Sequence, residues 1–128
     1  MDNLTRNQKL VLDVLQGSGR QMSAYEILDQ LRPEGLKAPL QVYRALDKLV
    51  GGHLVHKVES LNAFVSCNHQ SSHKSGDMTV FTICQDCGDV SEFNADAVAD
   101  VLLKQADKTG FKAFQAAVEI KGTCARCI

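Results

Sequence analysis

The chain has 128 residues, of which 14 are Lys or Arg and 15 are Asp or Glu, and its formal net charge at pH 7 is −1. This length suits one ordinary domain or two small ones. The charges are balanced, and no block of basic residues indicates nucleic-acid binding. No run is apolar enough to span a bilayer, and the N-terminus lacks the layout of a secretion signal. We therefore expect a cytoplasmic protein whose paired cysteines hold metal and do not form disulfides.

Two short helices are predicted at the start of the chain. Thr5 is the expected N-cap of the first helix, and the glycines at positions 17 and 19 end it. Its apolar positions are Leu10, Val11, Val14 and Leu15. Ser23 is expected to cap the second helix, with Glu26 three residues later in capping-box register. The apolar positions of that helix are Ile27, Leu28 and Leu31.

A third helix and a hairpin follow. Pro39 suits the first turn of a helix that runs to residue 50 and stops at two glycines. Residues 54–59 and 63–67 are typical of two strands joined by a three-residue turn. Three short helices followed by a hairpin predict a winged helix-turn-helix, which we assign to residues 1–66.

The second half of the chain begins with a polar segment, residues 67–77, which we predict to be a hinge loop. Strands are predicted on either side of the first cysteine pair, over residues 78–83 and 90–93, and over residues 111–120 before the second pair. The predicted fold class is therefore α+β, with a winged helix-turn-helix followed by a small α/β domain over residues 78–128.

One further helix is predicted inside this α/β domain. Asn94 is its expected N-cap, and Gly110 ends it after about Thr109. The positions expected to face inward are Val98, Val101, Leu102 and Ala106.

The third helix presents a polar side that suits DNA. At about 100° per residue its apolar side is formed by Val42, Ala45, Leu46 and Leu49. The opposite side holds Lys37, Gln41, Arg44 and Lys48. Arg and Gln are suited to the edges of G and A, and Lys is suited to phosphate. Such a cluster alone is usually a solvated helix face, but the preceding helices and the following hairpin favour DNA.

Three further residues are candidates for phosphate contacts. Tyr43, at the flank of the third helix, either donates to a phosphate or covers the core, and Arg6 and Tyr25 are weaker phosphate candidates.

The two Cys-x-x-Cys pairs, Cys84 with Cys87 and Cys124 with Cys127, predict a closed tetrahedral zinc site. Such a site has no open coordination position, so it implies a fold that depends on the metal and no catalytic role for the metal. The alternative is a redox dithiol of the thioredoxin type, in which a helix follows the pair. Here more strand is expected after Cys87, and two pairs exceed what such an enzyme needs. We therefore favour structural zinc.

Other possible ligands lie around the fifth cysteine, Cys67. They are His53, His56, His69, His73 and acids such as Glu92. A mixed set of thiolate, imidazole and carboxylate suits a second tetrahedral zinc. A lone loop histidine is usually only solvated, and spacing does not choose between His69 and His73.

Four motifs in this order resemble the ferric-uptake-regulator family over essentially the whole chain. They are Val42-Tyr43-Arg44-Ala45-Leu46, His56-Lys57-Val58-Glu59-Ser60, Cys84-x-x-Cys87-Gly88 and Cys124-x-x-Cys127. Together with Met22-Ser23-Ala24-Tyr25 they are most similar to its zinc uptake regulator branch. The iron-sensing branch carries a dense His-His-Asp-His run, whereas residues 68–73 here read Asn-His-Gln-Ser-Ser-His, which argues against an iron sensor.

The resemblance implies a homodimeric zinc-responsive repressor of zinc-uptake genes, not an enzyme, with the α/β domain as the dimerisation domain and operator DNA as partner. It implies two zinc ions per chain, one structural and one regulatory. The structural ligands would be Cys84, Cys87, Cys124 and Cys127. The regulatory ligands would be His56, Cys67, His73 and Glu92, with His69 as the alternative to His73.

The resemblance also implies that Tyr43 and Arg44 meet the operator, which ranks them above Gln41, Lys37, Lys48 and Tyr25. Three alternatives stay open at this point. The first is a regulator of the same family that responds to iron, manganese or peroxide. The others are a zinc-stapled thiol–disulfide oxidoreductase and a zinc-stapled protein-interaction module.

Overall fold

A computed structural model describes residues 3–67, 78–113 and 116–128, apart from the side chains of Asn94 and Asp96. The chain divides into two compact units, residues 1–67 and 68–128. The predicted hinge beyond Cys67, with His69 and His73, lies outside the described residues, so the assignment of residues 67–77 stays a prediction. None of the helices in the described part of the chain is long and apolar enough to cross a membrane.

The first unit contains three helices, α1 (Arg6–Ser18), α2 (Ala24–Leu31) and α3 (Pro39–Gly51). Its hairpin is formed by β1 (Val55–Val58) and β2 (Ala63–Ser66), which pair antiparallel. Strand β1 is shorter than predicted at both ends and β2 is shorter by one residue at its C-terminal end. Strand β1 ends at Val58 because residues 59–61 form a 3-10 turn, which is followed by Asn62 in the left-handed region, with φ 48°. This is the predicted order of a winged helix-turn-helix.

The first two helices begin where their capping residues predict. The Thr5 hydroxyl accepts from the Gln8 backbone N–H at 3.2 Å, while the Gln8 side chain accepts from the Thr5 N–H at 3.1 Å. Ser23 and Glu26 form the same reciprocal pair, at 3.1 and 2.8 Å. Both capping boxes satisfy backbone donors that no helical carbonyl can reach.

The core of the first unit is apolar and continuous. Its fully buried members from the helices are Val11, Leu15, Ala24, Ile27, Leu28, Leu31, Val42, Ala45, Leu46 and Leu49. Leu10 and Val14 were predicted on the same side but are only partly buried at its edge. The hairpin closes this core through Val55 and Phe64, and Phe64 also pairs with Met22 through two backbone hydrogen bonds.

The second unit is a three-stranded sheet with one helix. Its elements are β3 (Met78–Cys84), β4 (Val90–Asn94), α4 (Asp96–Lys108) and β5 (Ala116–Gly122). The strand order is β4-β3-β5, with β4 antiparallel and β5 parallel to β3. Two predicted boundaries are wrong. The cap position of α4 is Ala95, not Asn94, and no side chain caps it; the last strand begins at Ala116, since residues 111–113 are irregular.

The predicted inward face of α4 is also wrong. Val98, Val101 and Leu102 are 52%, 60% and 46% exposed, and Ala106 is only partly buried. The helix packs on the sheet through Ala99 and Leu103 instead, which contact a small cluster around Met78 and Val80. Because α4 carries two apolar rows, periodicity alone could not assign the row that meets its own sheet.

Candidate functional site

The topology of the second unit brings the two cysteine pairs together. Cys84 is the last residue of β3, and the parallel register places Gly122 of β5 beside it. Both strands therefore end at the same edge of the sheet, and the chain after β5 reaches Cys124 two residues later. Gly88 has φ 79°, a conformation that favours glycine, and it turns the chain back after Cys87 so that β4 can pair with β3.

The four cysteines fit a tetrahedral zinc ion. Their sulfur atoms all lie within 4.8 Å of one another, and Cys87 Sγ lies 3.7 Å from Cys124 Sγ. A tetrahedron with Zn–S bonds of about 2.3 Å has edges of about 3.8 Å, whereas a disulfide needs about 2.05 Å. The Cys84 sulfur also accepts backbone N–H groups from Cys124 at 3.3 Å and Cys87 at 3.5 Å. The predicted four-cysteine cluster is therefore present and has the donor set and spacing of a closed zinc centre.

The same hydrogen bonds set the protonation of the cluster. The N–H groups of Cys124 and Cys87 stabilise the Cys84 thiolate and lower the pKa of that thiol to about 6. The hydrogen bond between the Cys127 thiol and Cys124 raises the pKa of Cys127 to about 12. Without metal the cluster therefore holds protons at neutral pH, and these must leave when four thiolates bind zinc.

An ion pair joins the two cysteine segments outside the sulfur cluster. Arg126 lies between Cys124 and Cys127, and its guanidinium donates to the carboxylate of Asp89, two residues after Cys87. The negative charge of Asp89 raises the pKa of Arg126, and the nearby cysteines Cys124 and Cys87 raise it further. Both side chains are more than half exposed. Arg126 thus places a positive charge beside a centre that would carry a net charge of −2 with zinc bound.

The residues predicted to form the regulatory site fall in both units. In the first unit, His56 of β1 is opposite Val65, and Cys67 follows β2 and donates its N–H to the Leu54 carbonyl at 2.9 Å. The ligand atoms of His56 and Cys67 lie within 4.8 Å of each other, and both residues are partly buried. In the second unit, Glu92 is a partly buried residue of β4.

The polar side of α3 is exposed, as predicted. Arg44, Lys48 and Gln41 of α3 all lie on the surface of the first unit. Lys37 is also exposed, but it was wrongly assigned to the helix, which begins at Pro39. Gln41 has a second role, since its side-chain oxygen accepts the backbone N–H groups of Lys37 at 2.8 Å and Ala38 at 3.1 Å. That oxygen caps the helix, and only the amide N–H groups of Gln41 point to other partners.

The remaining predicted DNA contacts differ in exposure. Tyr43 is partly buried and packs against the core, whereas Tyr25 is 61% exposed in the first turn of α2. Arg6 donates to the Glu34 carbonyl at 2.9 Å and lies 3.8 Å from its carboxylate. Arg6 therefore binds the turn after α2, which agrees with its place among the weaker candidates for a phosphate contact.

Two residues on the outer face of α3 were not among the predicted DNA contacts. Leu40 and Asp47 are exposed, at positions four before and three after Arg44. At 100° per residue, Leu40 and Asp47 lie about 170° and about 150° from the centre of the buried side of α3, so the spacing was sufficient to place them. They were missed because only basic and amide side chains were considered for this face.

Comparison with known proteins agrees with these features. The family model of the ferric uptake regulator family matches residues 3–121. The zinc uptake regulation protein of Escherichia coli (strain K12) is 39% identical over 98% of this chain and 72% of its own length. Among solved structures, a zinc uptake regulator complexed with zinc and DNA is 37% identical, with a TM-score of 0.89 over 98% of this chain and 83% of its own.

The crystal structure of holo XcZur is similar to the same extent, with 39% identity and a TM-score of 0.86 over 97% of this chain and 85% of its own. The α+β fold predicted from the sequence is confirmed by these matches. So is the prediction of a transcription regulator and not an enzyme. The chain belongs to the ferric uptake regulator family.

Proposed function

We propose that this protein is a zinc-responsive transcriptional repressor that binds the operators of zinc-uptake genes as a homodimer. The observation that carries the proposal is the 37% identity and TM-score of 0.89 to a zinc uptake regulator complexed with zinc and DNA, over 98% of the chain. The relative in Escherichia coli, also named for zinc uptake regulation, supports the same response. We place the protein in the cytoplasm, where operator DNA and reduced thiols are found.

The first unit would bind DNA through α3. In a winged helix-turn-helix the recognition helix lies in the major groove, with residues near its N-terminus against the base edges. Arg44 is the residue we assign to a guanine, with Gln41 beside it, while Lys37 and Lys48 would meet phosphates. Tyr43 and Tyr25 would donate hydrogen bonds from their hydroxyl groups to phosphates of the DNA backbone.

We propose two zinc ions per chain. The four-cysteine cluster would hold the structural ion, because its sulfurs already lie at tetrahedral spacing. The regulatory ion would be held by His56, Cys67, Glu92 and a histidine of the segment after Cys67. By the family pattern that histidine is His73, with His69 as the alternative. Proximity of the His56 and Cys67 ligand atoms within the first unit supports half of this set.

The regulatory ligands belong to both units, and this explains how zinc could control DNA binding. Bound zinc supplies short, directional bonds that only a fixed arrangement of its ligands satisfies. In a dimer the spacing of two α3 helices must match half-sites about one helical turn apart, or a multiple of it. Apparent DNA affinity then scales with the population of the competent arrangement, and operator DNA tightens zinc binding in return.

The second unit would form the dimer. Val98, Val101 and Leu102 leave an apolar row of α4 on the surface of the unit, and Ile120 is exposed on β5, an edge strand of the described sheet. A second copy of the chain would bury this surface, which is costly to leave in water.

The test is the substitution Cys67→Ser. We expect it to abolish zinc-dependent binding to DNA duplexes selected from a random-sequence pool by the zinc-loaded wild type. Bound zinc should fall from two to one per chain, and the dimer should stay folded. His53→Ala is the matched control, because that histidine is exposed and is not assigned to zinc. Its zinc content and DNA binding should equal those of the wild type.

Three results would contradict the proposal. One is zinc-dependent DNA binding by Cys67→Ser at wild-type affinity. Another is wild-type binding that survives chelation of every zinc except the structural one. The third is DNA binding that responds to iron or manganese and not to zinc, which would identify a different sensor of the same family.

A further inference from the structure

Leu40 is an exposed apolar side chain in the first turn of α3. It is 56% exposed, although leucines elsewhere on this helix, Leu46 and Leu49, are completely buried. The N-terminal turn of a recognition helix is the part that reaches base edges in the major groove. A leucine in water at this position contributes nothing to the core of the unit.

Leu40 shares its face with exposed charged residues of the helix. It lies one turn before Arg44, and both point away from Val42 and Leu46, which are buried. Leu40 and Arg44 also line one groove of about 590 Å³, whose other wall is the start of α1, at residues 5, 7 and 8. This face therefore combines one apolar side chain with basic residues at helical spacing.

Leu40 has the longest apolar side chain at the start of α3. Ala38 and Pro39 are short, and the side-chain oxygen of Gln41 is held by the backbone N–H groups before the helix. In the major groove the one apolar group on a base edge is the C5-methyl of thymine. Arginine, lysine and glutamine cannot match that methyl, whereas a leucine one turn from Arg44 can cover it.

We propose that Leu40 is a specificity-determining residue that reads a thymine methyl in each half-site, next to the base pair that Arg44 contacts. This inference rests on the proposed DNA-binding function and adds an apolar element to the recognition of the operator. Charge complementarity supports DNA as the occupant, because Arg44 and Lys48 flank the leucine on the same exposed face. Asp47 adds one negative charge there, which also disfavours a non-specific fit to phosphates.

The experiment is a thymine-to-deoxyuridine scan of a duplex selected from a random pool by the zinc-loaded wild type. Deoxyuridine removes only the methyl. For the wild type, replacement of one thymine in each half-site should weaken binding of the dimer about 15-fold, because two methyl contacts are lost and each buried carbon group is worth about fourfold. For Leu40→Ala the same replacement should have no effect, and its affinity for the thymine duplex should match that of the wild type for the deoxyuridine duplex to within about twofold.

Leu61→Ala is the matched control, since Leu61 is a 39% exposed leucine outside α3. It should keep the wild-type loss of about 15-fold on deoxyuridine replacement. The proposal is overturned if no thymine matters to the wild type, or if Leu40→Ala keeps the wild-type dependence on the methyl. A wild type that binds no DNA in the presence of zinc would instead refute the proposed function, and Leu40 would then have no base to read.

Discussion

The two units reach stability by different means. The first buries a continuous set of large aliphatic side chains, including Leu15, Leu28 and Leu46 with no exposed area or nearly none. Among the described residues of the second unit, the cluster under α4 has three buried members, Met78, Val80 and Ala99, while Phe81 and Ile83 are buried elsewhere in the sheet. That unit also leaves much of α4 apolar and exposed. We therefore expect the first unit to fold on its own core and the second to depend on a metal and on a second copy of the chain.

This difference matches the proposed roles. A unit that must place a helix in the major groove benefits from rigid packing, because base recognition depends on the position of a few side chains. A small unit whose core is limited is commonly held by a structural metal or by oligomerisation. We therefore expect the two units to respond differently to the same kind of change.

The largest effect should come from loss of the structural zinc. With Cys124→Ser, or after complete chelation, the sulfur cluster loses its closed geometry. Structural zinc sites supply free energy on the order of 10 kcal/mol, comparable to the whole stability of a domain. We expect residues 78–128 to lose amide protection from hydrogen exchange while residues 3–67 keep theirs. Equal loss of protection in both units would show that the first does not fold independently.

Leu46→Ala is expected to have a large effect confined to the first unit. Leu46 is completely buried in α3, and its truncation should lower the free energy of unfolding of the first unit by about 3 kcal/mol. Zinc content at the four-cysteine cluster should not change. Leu40→Ala on the same helix is the control, because a half-exposed leucine should cost less than about 1 kcal/mol. Thermal unfolding followed with metal analysis measures both.

The parts that were predictable from the sequence are those decided by local interactions. The N-caps Thr5 and Ser23 depend only on residues three positions apart, and both were placed correctly, as was the capping box of Ser23 with Glu26. The capping box of Thr5 with Gln8 was not predicted. The buried side of α3 was placed correctly for the same reason. The inward face of α4 was not, because its choice between two apolar rows depends on the sheet below and on the proposed second copy.

The candidate sites follow the same division. The Cys-x-x-Cys spacing predicts a local metal loop, and the parallel pairing of β3 with β5 explains why two loops 40 residues apart meet. The pairing of Arg126 with Asp89 could not be predicted, since neither residue belongs to a motif. The role of Gln41 as a cap also escaped prediction, because its spacing from the helix start was used only to assign it to DNA.

A third effect concerns the exposed row of α4. Val101→Asp places a charge in a surface that we propose is buried between two copies, so the dissociation constant of the dimer should increase about 100-fold. Sedimentation equilibrium measures it, and zinc content of the four-cysteine cluster is the check on folding. Asp100→Lys, an exposed position on the same helix, should dissociate no more than the wild type. A Val101→Asp variant that stays dimeric would exclude this row from the interface.

The smallest effect should come from Arg126→Ala. Arg126 lies outside the sulfur cluster, but its ion pair with Asp89 ties the segment after β5 to the segment after β3, so the loss should appear in the rate of zinc release. Exposed ion pairs contribute little, and we expect release to a chromogenic chelator to accelerate about two- to fivefold. High salt should reduce the difference, because it screens the pair in the wild type. Arg32→Ala, which removes a similar exposed ion pair with Asp29 in the first unit, should leave the rate unchanged. An unchanged rate for Arg126→Ala would mean that the four thiolates alone hold the two segments together.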